Sequence, residues 1–123
     1  DLLLDLHNLY ANSVNFGFDP FAFIVAMPPR RIRAIHIAGG RWVTSATTGQ
    51  SRLLDDHLHQ VPQAVFELLT FVGERLTHPL TVILERDGKY PPFAQLLDEL
   101  ERAHAALGLG RARRAAEKTP EAA

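Results

Sequence analysis

The chain has 123 residues, of which 46% are hydrophobic and 22% are charged, and its formal net charge is −1. This balance is typical of one soluble globular domain and excludes a strongly basic chain, so we expect no nucleic-acid and no membrane partner. The chain has no cysteine, which excludes disulfides and thiolate metal sites and is typical of a reducing compartment. We therefore expect a cytoplasmic protein.

The first elements are predicted to be a strand and a short helix. The apolar run from Leu2 to Leu6, with Asp5 inside it, is of the kind found in buried parallel strands. A polar connection is expected from His7 onward. Asp19 and Pro20 then predict a brief helix, because Asp is a favoured cap and Pro is tolerated in the first turn.

The rest of the chain alternates between predicted strands and helices. Strands are expected at Arg31 to Gly39, Leu53 to His57 and Thr81 to Leu84, with a polar loop at 41–51 and helices at 61–76 and 93–107. Gly108 and Gly110 are predicted to end the last helix and to leave a flexible tail at 108–123. Such alternation predicts parallel strands covered by helices.

Residues of types that bind metals lie at the ends of the predicted strands. They are Asp5 with Asn8, His36, Asp55 with His57, and Glu85. Because the carboxyl ends of parallel strands meet at one edge of a sheet, these side chains are expected to lie together. Carboxylate, imidazole and amide donors without sulfur favour iron, manganese or zinc. The weaker candidates are His7, Asp56, His59 and Asp87.

Each of these residues also has a structural alternative. His36 is compatible with a core histidine bonded to a backbone carbonyl, Asp5 with a turn cap, and Glu85 with a surface charge cluster. All of these residues occupy positions that are predicted to face inward on their strands. This agreement favours a shared metal site over separate structural roles.

Four segments of the chain resemble one known family, in that family's order and approximate spacing. They are LLLDLHNLYANSVNFGFDP at 2–20, IHIAG at 35–39, LLDDHLHQV at 53–61 and ILERDGKYPPFAQLLDELERA at 83–103. On these segments the chain resembles the C-terminal half of the multinuclear non-heme iron-dependent oxidative enzymes, which include the methanobactin-biosynthesis oxidase.

The resemblance implies an α/β fold that is the C-terminal half of a TIM-type (β/α)8 barrel. It would contain about four parallel strands with covering helices and occupy residues 1–107. The metal ligands that the resemblance carries over are Asp5, Asn8, His36, Asp55, His57 and Glu85. The implied cofactor is iron, with two or three ions in the complete family site, and zinc or manganese are the alternatives.

The resemblance also implies a function and partners. Enzymes of the family use dioxygen to modify residues, often cysteine, of ribosomally made peptides. The expected substrate is thus a precursor peptide, and the expected partner is a leader-binding protein. The chain departs from the family at Gly40, which is usually histidine, at His7, usually asparagine, and at Phe16, usually histidine. Because the family's N-terminal half is missing from these residues, we expect a fragment, or a chain that pairs with the missing half or with a second chain.

Two other functions remain open at this point. Gly40 and the missing ligands of the N-terminal half favour a truncated, non-catalytic remnant or a metal-binding module. Strand-end histidine, aspartate and glutamate also serve zinc- or manganese-dependent hydrolases and isomerases on similar barrels.

Overall fold

The structure is a computed structural model that describes residues 1–119. Its elements are, in chain order, β1 (Leu2–Asp5), α1 (Leu6–Phe16), α2 (Pro20–Ala26), a 3-10 turn (Pro29–Arg31), β2 (Ile32–Ile37), β3 (Arg41–Thr44), β4 (Ser51–Leu54), α3 (Gln63–Arg75), β5 (Thr81–Leu84) and α4 (Phe93–Glu117). Over the part of the chain that is described, no helix is both long enough and apolar enough to cross a membrane.

A parallel sheet forms the centre of the fold. β2 lies between β1 and β5, and both pairs are parallel. Asp5 lies opposite His36 in one ladder, and His36 lies opposite Ile83 in the other. The predicted mixed α/β class with a parallel sheet is therefore confirmed. Within residues 1–119 the sheet has three strands rather than the four expected.

The two faces of this sheet have different surroundings. Leu4, Ile35 and Ile37 are buried on one face, in a core shared with the apolar side of α3. The other face carries Leu3 and Ile83, which are 51% and 41% exposed. Since alternate residues of a strand point to opposite faces, the second face is an apolar surface left uncovered by the described residues.

The third predicted strand is part of an antiparallel hairpin. β3 pairs with β4, with Arg41 opposite Leu54 and Thr44 opposite Ser51. The expected loop at 41–51 and the expected parallel strand through His57 are therefore wrong. Asn15 of α1 binds the backbone of Leu53 through both a donated and an accepted hydrogen bond, at 2.9 and 2.8 Å. This contact between distant residues leaves no periodic pattern in the sequence.

α1 occupies the segment in which a polar connection was expected, so that expectation is wrong. Oδ1 of Asp5 accepts a hydrogen bond from the backbone N–H of Asn8 at 2.8 Å and caps the helix. Gly17 ends the helix in the left-handed conformation, with φ 73°. The cap lies inside the apolar run of β1, and the strand therefore passes into the helix without a loop.

The two predicted helices in the middle of the chain are confirmed. α2 begins at Pro20 with Asp19 as its cap, which accepts from the backbone N–H of Phe21 at 2.9 Å. α3 runs from Gln63 to Arg75, within the predicted range of 61–76. Its periodic apolar residues are the ones that are buried against the sheet.

The predicted end of the last helix is wrong, because α4 continues through Gly108 and Gly110 to Glu117. Gly110 is buried where α4 crosses α3, and Arg111 and Arg114 donate to the backbone carbonyls of His78 and Glu74. These contacts hold residues that were assigned to a flexible tail. The predicted boundary at 107 falls inside the helix, and residues 120–123 of that tail lie outside the described part.

The apolar residues of α4 do not all face the core: Leu107 is buried and Leu96 is half-buried. Phe93, Leu97 and Leu100 are 71%, 45% and 41% exposed, whereas Glu99 is buried and accepts from the N–H of Val61 at 2.7 Å. The first half of α4 thus turns a polar residue inward, where it satisfies the backbone before α3.

Candidate metal centre

The site lies at the carboxyl ends of the three parallel strands. Asp5 is the last residue of β1, and His36 lies beside it near the end of β2. Glu85 follows β5, and its backbone N–H donates to the carbonyl of Ile37 at 2.9 Å. The parallel ladders thus bring these three side chains to one edge of the sheet, as the sequence predicted.

His57 reaches this edge from a loop rather than from a strand. Its φ of 57° is in the left-handed region, which is uncommon for a residue other than glycine. Its N–H donates to the carbonyl of Gly39 at 3.0 Å, and its carbonyl accepts from Asp87 at 2.8 Å. These two bonds fix the loop between the ends of β2 and β5, and they offset the strain of the backbone.

Close backbone contact at Gly39 allows the loop to lie there. A Cβ atom at Gly39 would lie 2.0 Å from the carbonyl oxygen of Gln60 and 2.4 Å from that of His59. Any side chain at this position would force the loop away from the end of β2. The glycine two residues after β2 is therefore required by packing.

Asp5, His57 and Glu85 form a group of three metal-type donors in the described part of the chain. One donor atom from each residue lies within 4.8 Å of those of the other two. Nδ1 of His57 is 3.4 Å from Oε2 of Glu85, and Nε2 is 3.9 Å from Oδ2 of Asp5. One nitrogen of the His57 ring and one oxygen from each carboxylate together offer three donors to a divalent metal ion.

The other three predicted ligands surround this group. Nδ1 of His36 lies 3.1 Å from Oε2 of Glu85. Oδ1 of Asp55 lies 3.0 Å from Nε2 of His57, and Oδ2 of Asp55 accepts from the side-chain amide of Asn8 at 3.1 Å. All six residues chosen from the sequence therefore gather at one place, although Asp55 and His57 reach it from a loop.

The electrostatic surroundings of His57 are strongly acidic. Burial lowers the pKa of its imidazole, but four nearby carboxylates outweigh that effect and raise the pKa above its ordinary value. These carboxylates belong to Asp55, Glu85, Asp5 and Asp87. A protonated ring neutralises part of this negative charge, and a bound cation would do the same in its place.

A buried nitrogen at this site lacks a hydrogen bond. Nε2 of His57 is buried and makes none in the described residues, even though Oδ1 of Asp55 is 3.0 Å away, because closeness alone does not provide the required angle. Buried polar atoms without partners are uncommon and costly. This nitrogen is therefore available to bind a ligand such as a metal ion.

Two residues of the site were ranked too low from the sequence. His7 is fully buried, with Nδ1 2.5 Å from Oδ1 of Asp55, and Asp87 lies 3.3 Å from Nδ1 of His57. His7 lies in the first turn of α1, directly after β1. A prediction that this helix starts at the end of β1 would have placed His7 beside Asn8 at the site. Asp87 follows Glu85 by two residues in an irregular loop, where no period applies.

His59, His78 and Asp56 make local contacts outside this group. Nε2 of His78 is 2.7 Å from the carbonyl of Ile32. Nδ1 of His59 lies 3.0 Å from Oδ1 of Asp56. Burial raises the pKa of Asp56, but the N–H of Leu58, His59 and Arg41 together lower it below its ordinary value.

A family model with the description "RiPP precursor modification enzyme MbnB/TglH/ChrH" matches residues 1–108 of the chain. Several curated relatives are named UPF0276 protein. One from Bordetella bronchiseptica is 40% identical over 109 residues, which are 89% of this chain and 37% of that protein. One from Caulobacter vibrioides is 37% identical over 110 residues, again 89% of this chain and 37% of the relative.

A relative from Pseudomonas aeruginosa is 43% identical over 105 residues, which cover 82% of this chain and 34% of the relative. The chain thus spans a little over a third of the length of these relatives. The matched region contains every residue of the metal-type cluster, since the cluster lies between Asp5 and Asp87.

Proposed function

We propose, from the premise that the chain belongs to the RiPP precursor modification enzyme MbnB/TglH/ChrH family, that it forms part of a multinuclear non-heme iron oxidase. The enzyme would use dioxygen to modify residues, often cysteine, of a ribosomally made precursor peptide. The observation that carries this proposal is the convergence of Asp5, His57 and Glu85 within 4.8 Å at the strand ends.

The donors present fit iron. Two carboxylates with one imidazole, and a second imidazole on His36, give the oxygen and nitrogen ligands that iron and manganese prefer, and the chain has no cysteine to favour a thiolate site. The buried, unpartnered Nε2 of His57 supports an ion-binding role for this ring. The same side chains also bind zinc, so metal analysis is needed to identify the ion.

Asp5, His57 and Glu85 would hold a first ion. Glu85 also lies against His36, so its carboxylate is placed to serve two ions at once. Asp55 and Asn8 extend the same group of donors toward α1. These contacts support a site for more than one ion, to which residues outside this sequence would add further ligands.

Iron, when bound, would supply the redox-active centre through which electrons pass from the peptide to dioxygen. The chain's own residues prepare the site. Asp5, Glu85, Asp55 and Asp87 create the negative charge that attracts a cation, and His57 must lose its proton to become a ligand. The backbone bonds of His57 to Gly39 and Asp87 fix the main chain from which its ring projects, which lowers the cost of assembling the site.

The sheet supports the proposal that the fold is the C-terminal half of a TIM-type barrel. Its strands are parallel, its ligands stand at their carboxyl ends, and helices cover only one face. The uncovered face, with Leu3 and Ile83 exposed, would form the inner wall of the barrel. The other strands would come from the missing N-terminal half or from a second chain, and a leader-binding protein would present the peptide, in the cytoplasm.

The test uses the product of the complete reading frame that contains this sequence, purified without oxygen. We expect iron at two or three ions per chain by elemental analysis. We also expect a loss of hydrogen mass from a cysteine-containing precursor peptide, seen by mass spectrometry only when dioxygen is admitted. Zinc alone at a stoichiometric level would contradict the oxidase and favour a hydrolase or isomerase.

Glu85→Gln and Glu101→Gln provide the matched pair for this test. Both remove one carboxylate with little change of shape, but Glu101 is exposed on α4, away from the strand ends. Glu85→Gln should lower the iron content and stop the oxidation, whereas Glu101→Gln should retain both. Full iron loading and activity in Glu85→Gln would show that Glu85 is not a metal ligand. A full-length protein that contains no metal would favour the non-catalytic remnant.

A further inference from the structure

His7 is a fully buried titratable residue beside the proposed metal centre. It lies in the first turn of α1, and its side chain has an exposure of 0%. Nδ1 of its imidazole lies 2.5 Å from Oδ1 of Asp55. The contact joins the start of α1 to the loop after β4.

Asp55 is held on both of its oxygens. Oδ1 faces Nδ1 of His7 and also lies 3.0 Å from Nε2 of His57, while Oδ2 accepts from the amide of Asn8. Two consecutive residues of α1 therefore fix the plane of this carboxylate. The carboxylate in turn is the group against which the Nε2 side of the His57 ring rests.

Gly40 provides the space for the His7 ring. A Cβ atom at Gly40 would lie 2.6 Å from Cε1 of His7 and 1.9 Å from the carbonyl oxygen of Leu54. Both separations are far below a van der Waals contact. The position after Gly39 must therefore lack a side chain while His7 occupies its present place.

The burial of His7 leaves a polar atom without a partner within residues 1–119, which an apolar side chain in the same place would avoid. Its Nε2 atom is buried and has no hydrogen-bond partner in the described residues. An unsatisfied buried polar group is unfavourable, and a leucine would fill a similar volume without leaving one. The interaction that an imidazole adds here is the one between Nδ1 and Asp55.

We propose that His7 is a positioning residue for the metal centre. It holds the Asp55 carboxylate in place, and Asp55 thereby sets the charge and the contact that the Nε2 side of the His57 ring meets at 3.0 Å. The proposal rests on the metal-binding function proposed above, since it concerns the same histidine. Residues that orient a metal-binding histidine through a carboxylate act in this way in other metal sites.

The test compares His7→Asn with His7→Leu in the chain as it stands. The amide nitrogen of asparagine is placed like Nδ1 of histidine, so it retains the donor to Asp55, whereas leucine retains apolar volume alone. Binding of Fe²⁺ or Mn²⁺ is measured by anaerobic calorimetry. His7→Leu should weaken metal binding by about 10–100-fold, and His7→Asn should restore a value close to that of the unmodified chain.

A second readout does not depend on metal. The ring nitrogen resonances of His57 are recorded by NMR in the metal-free chain, with His57→Asn used for their assignment. His7→Leu should shift them, Asp55→Asn should shift them as well, and His7→Asn should leave them unchanged. The Asp55→Asn variant supplies this comparison even when the leucine variant does not fold.

The outcomes separate this proposal from the proposed function. Unchanged His57 resonances and unchanged metal affinity in folded His7→Leu would overturn the positioning role, as would equal effects of asparagine and leucine. If the unmodified chain binds no metal but the NMR pattern holds, the positioning role stands and the metal-binding function of the chain fails.

Discussion

Nδ1 of His57 lies 3.4 Å from Oε2 of Glu85, although one residue belongs to the loop after β4 and the other follows β5. Two backbone hydrogen bonds support this approach, one to each side of the left-handed His57. The pair therefore depends on the placement of the loop as much as on the parallel sheet. This relationship leads to a prediction about pH.

His57→Asn should change how stability depends on pH in the metal-free chain. Because the folded pKa of His57 is raised above 6.5, its protonated ring stabilises the fold fully below about that pH, and the contribution is lost as the pH rises through the folded pKa. Asparagine tolerates left-handed φ and does not titrate. The melting temperature of the unmodified chain should exceed that of the variant most at mildly acid pH and least at alkaline pH.

The reverse trend, with the advantage growing as the pH rises, would show that desolvation outweighs the four carboxylates. Metal affinity of the unmodified chain should rise over the same pH range, because the metal and the proton compete for one ring. Calorimetric titrations at several pH values measure this competition.

Asp5→Asn should separate the two roles of Asp5. Its Oδ1 caps α1, whereas its Oδ2 faces His57. Since asparagine is about as good a cap as aspartate, the free energy of unfolding should change by less than about 1 kcal/mol. Metal affinity should fall strongly, because the carboxylate charge is lost.

Asp19→Asn is the matched control for that substitution. It alters the cap of α2, outside the metal-type cluster, and should leave both stability and metal affinity nearly unchanged. Retained affinity in Asp5→Asn would remove Asp5 from the proposed ligands. Chemical denaturation and calorimetry provide the two measurements.

Asn15→Ala should loosen the hairpin that precedes the site. Asn15 makes two hydrogen bonds to the backbone of Leu53, which is itself buried. Loss of both bonds should cost about 1–3 kcal/mol of unfolding free energy and increase hydrogen exchange at the Leu53 amide. Asn12→Ala, which removes one side-chain bond to Asn8, is the control and should have a smaller effect. Equal exchange rates in the two variants would show that other contacts hold the hairpin.

The sequence predicted the secondary structure correctly where the local pattern of apolar residues matches the burial in the fold. β5 and α3 were predicted at nearly their observed bounds, and the alternation of Leu4 with Asp5 gave the correct faces of β1. The positions of His36 and Glu85 followed from the same alternation. Parallel pairing then placed their side chains together without any knowledge of loops.

The failures occur where contacts between distant residues outweigh local signals. Asn15 pairs with β4 and replaces a predicted loop by a hairpin, while backbone bonds to Gly39 and Asp87 hold His57 in a left-handed conformation. The convergence of Asp55 and His57 was thus expected for an incorrect reason, a shared strand face. His7 was ranked low because a polar residue beside a predicted turn gives no sign of complete burial.

Gly108 and Gly110 should respond in opposite directions to alanine, since the end of α4 depends on its crossing with α3. A Cβ atom at Gly108 would meet nothing within 4 Å, so Gly108→Ala should stabilise the helix by about 0.5–1 kcal/mol. At Gly110 it would lie 1.9 Å from the carbonyl oxygen of Thr70, so Gly110→Ala should destabilise the fold by about 1–3 kcal/mol. Thermal denaturation of the two variants measures this difference. Similar gains at both glycines would mean that the last turns of α4 do not pack on α3, and that helix propensity alone governs this end of the chain.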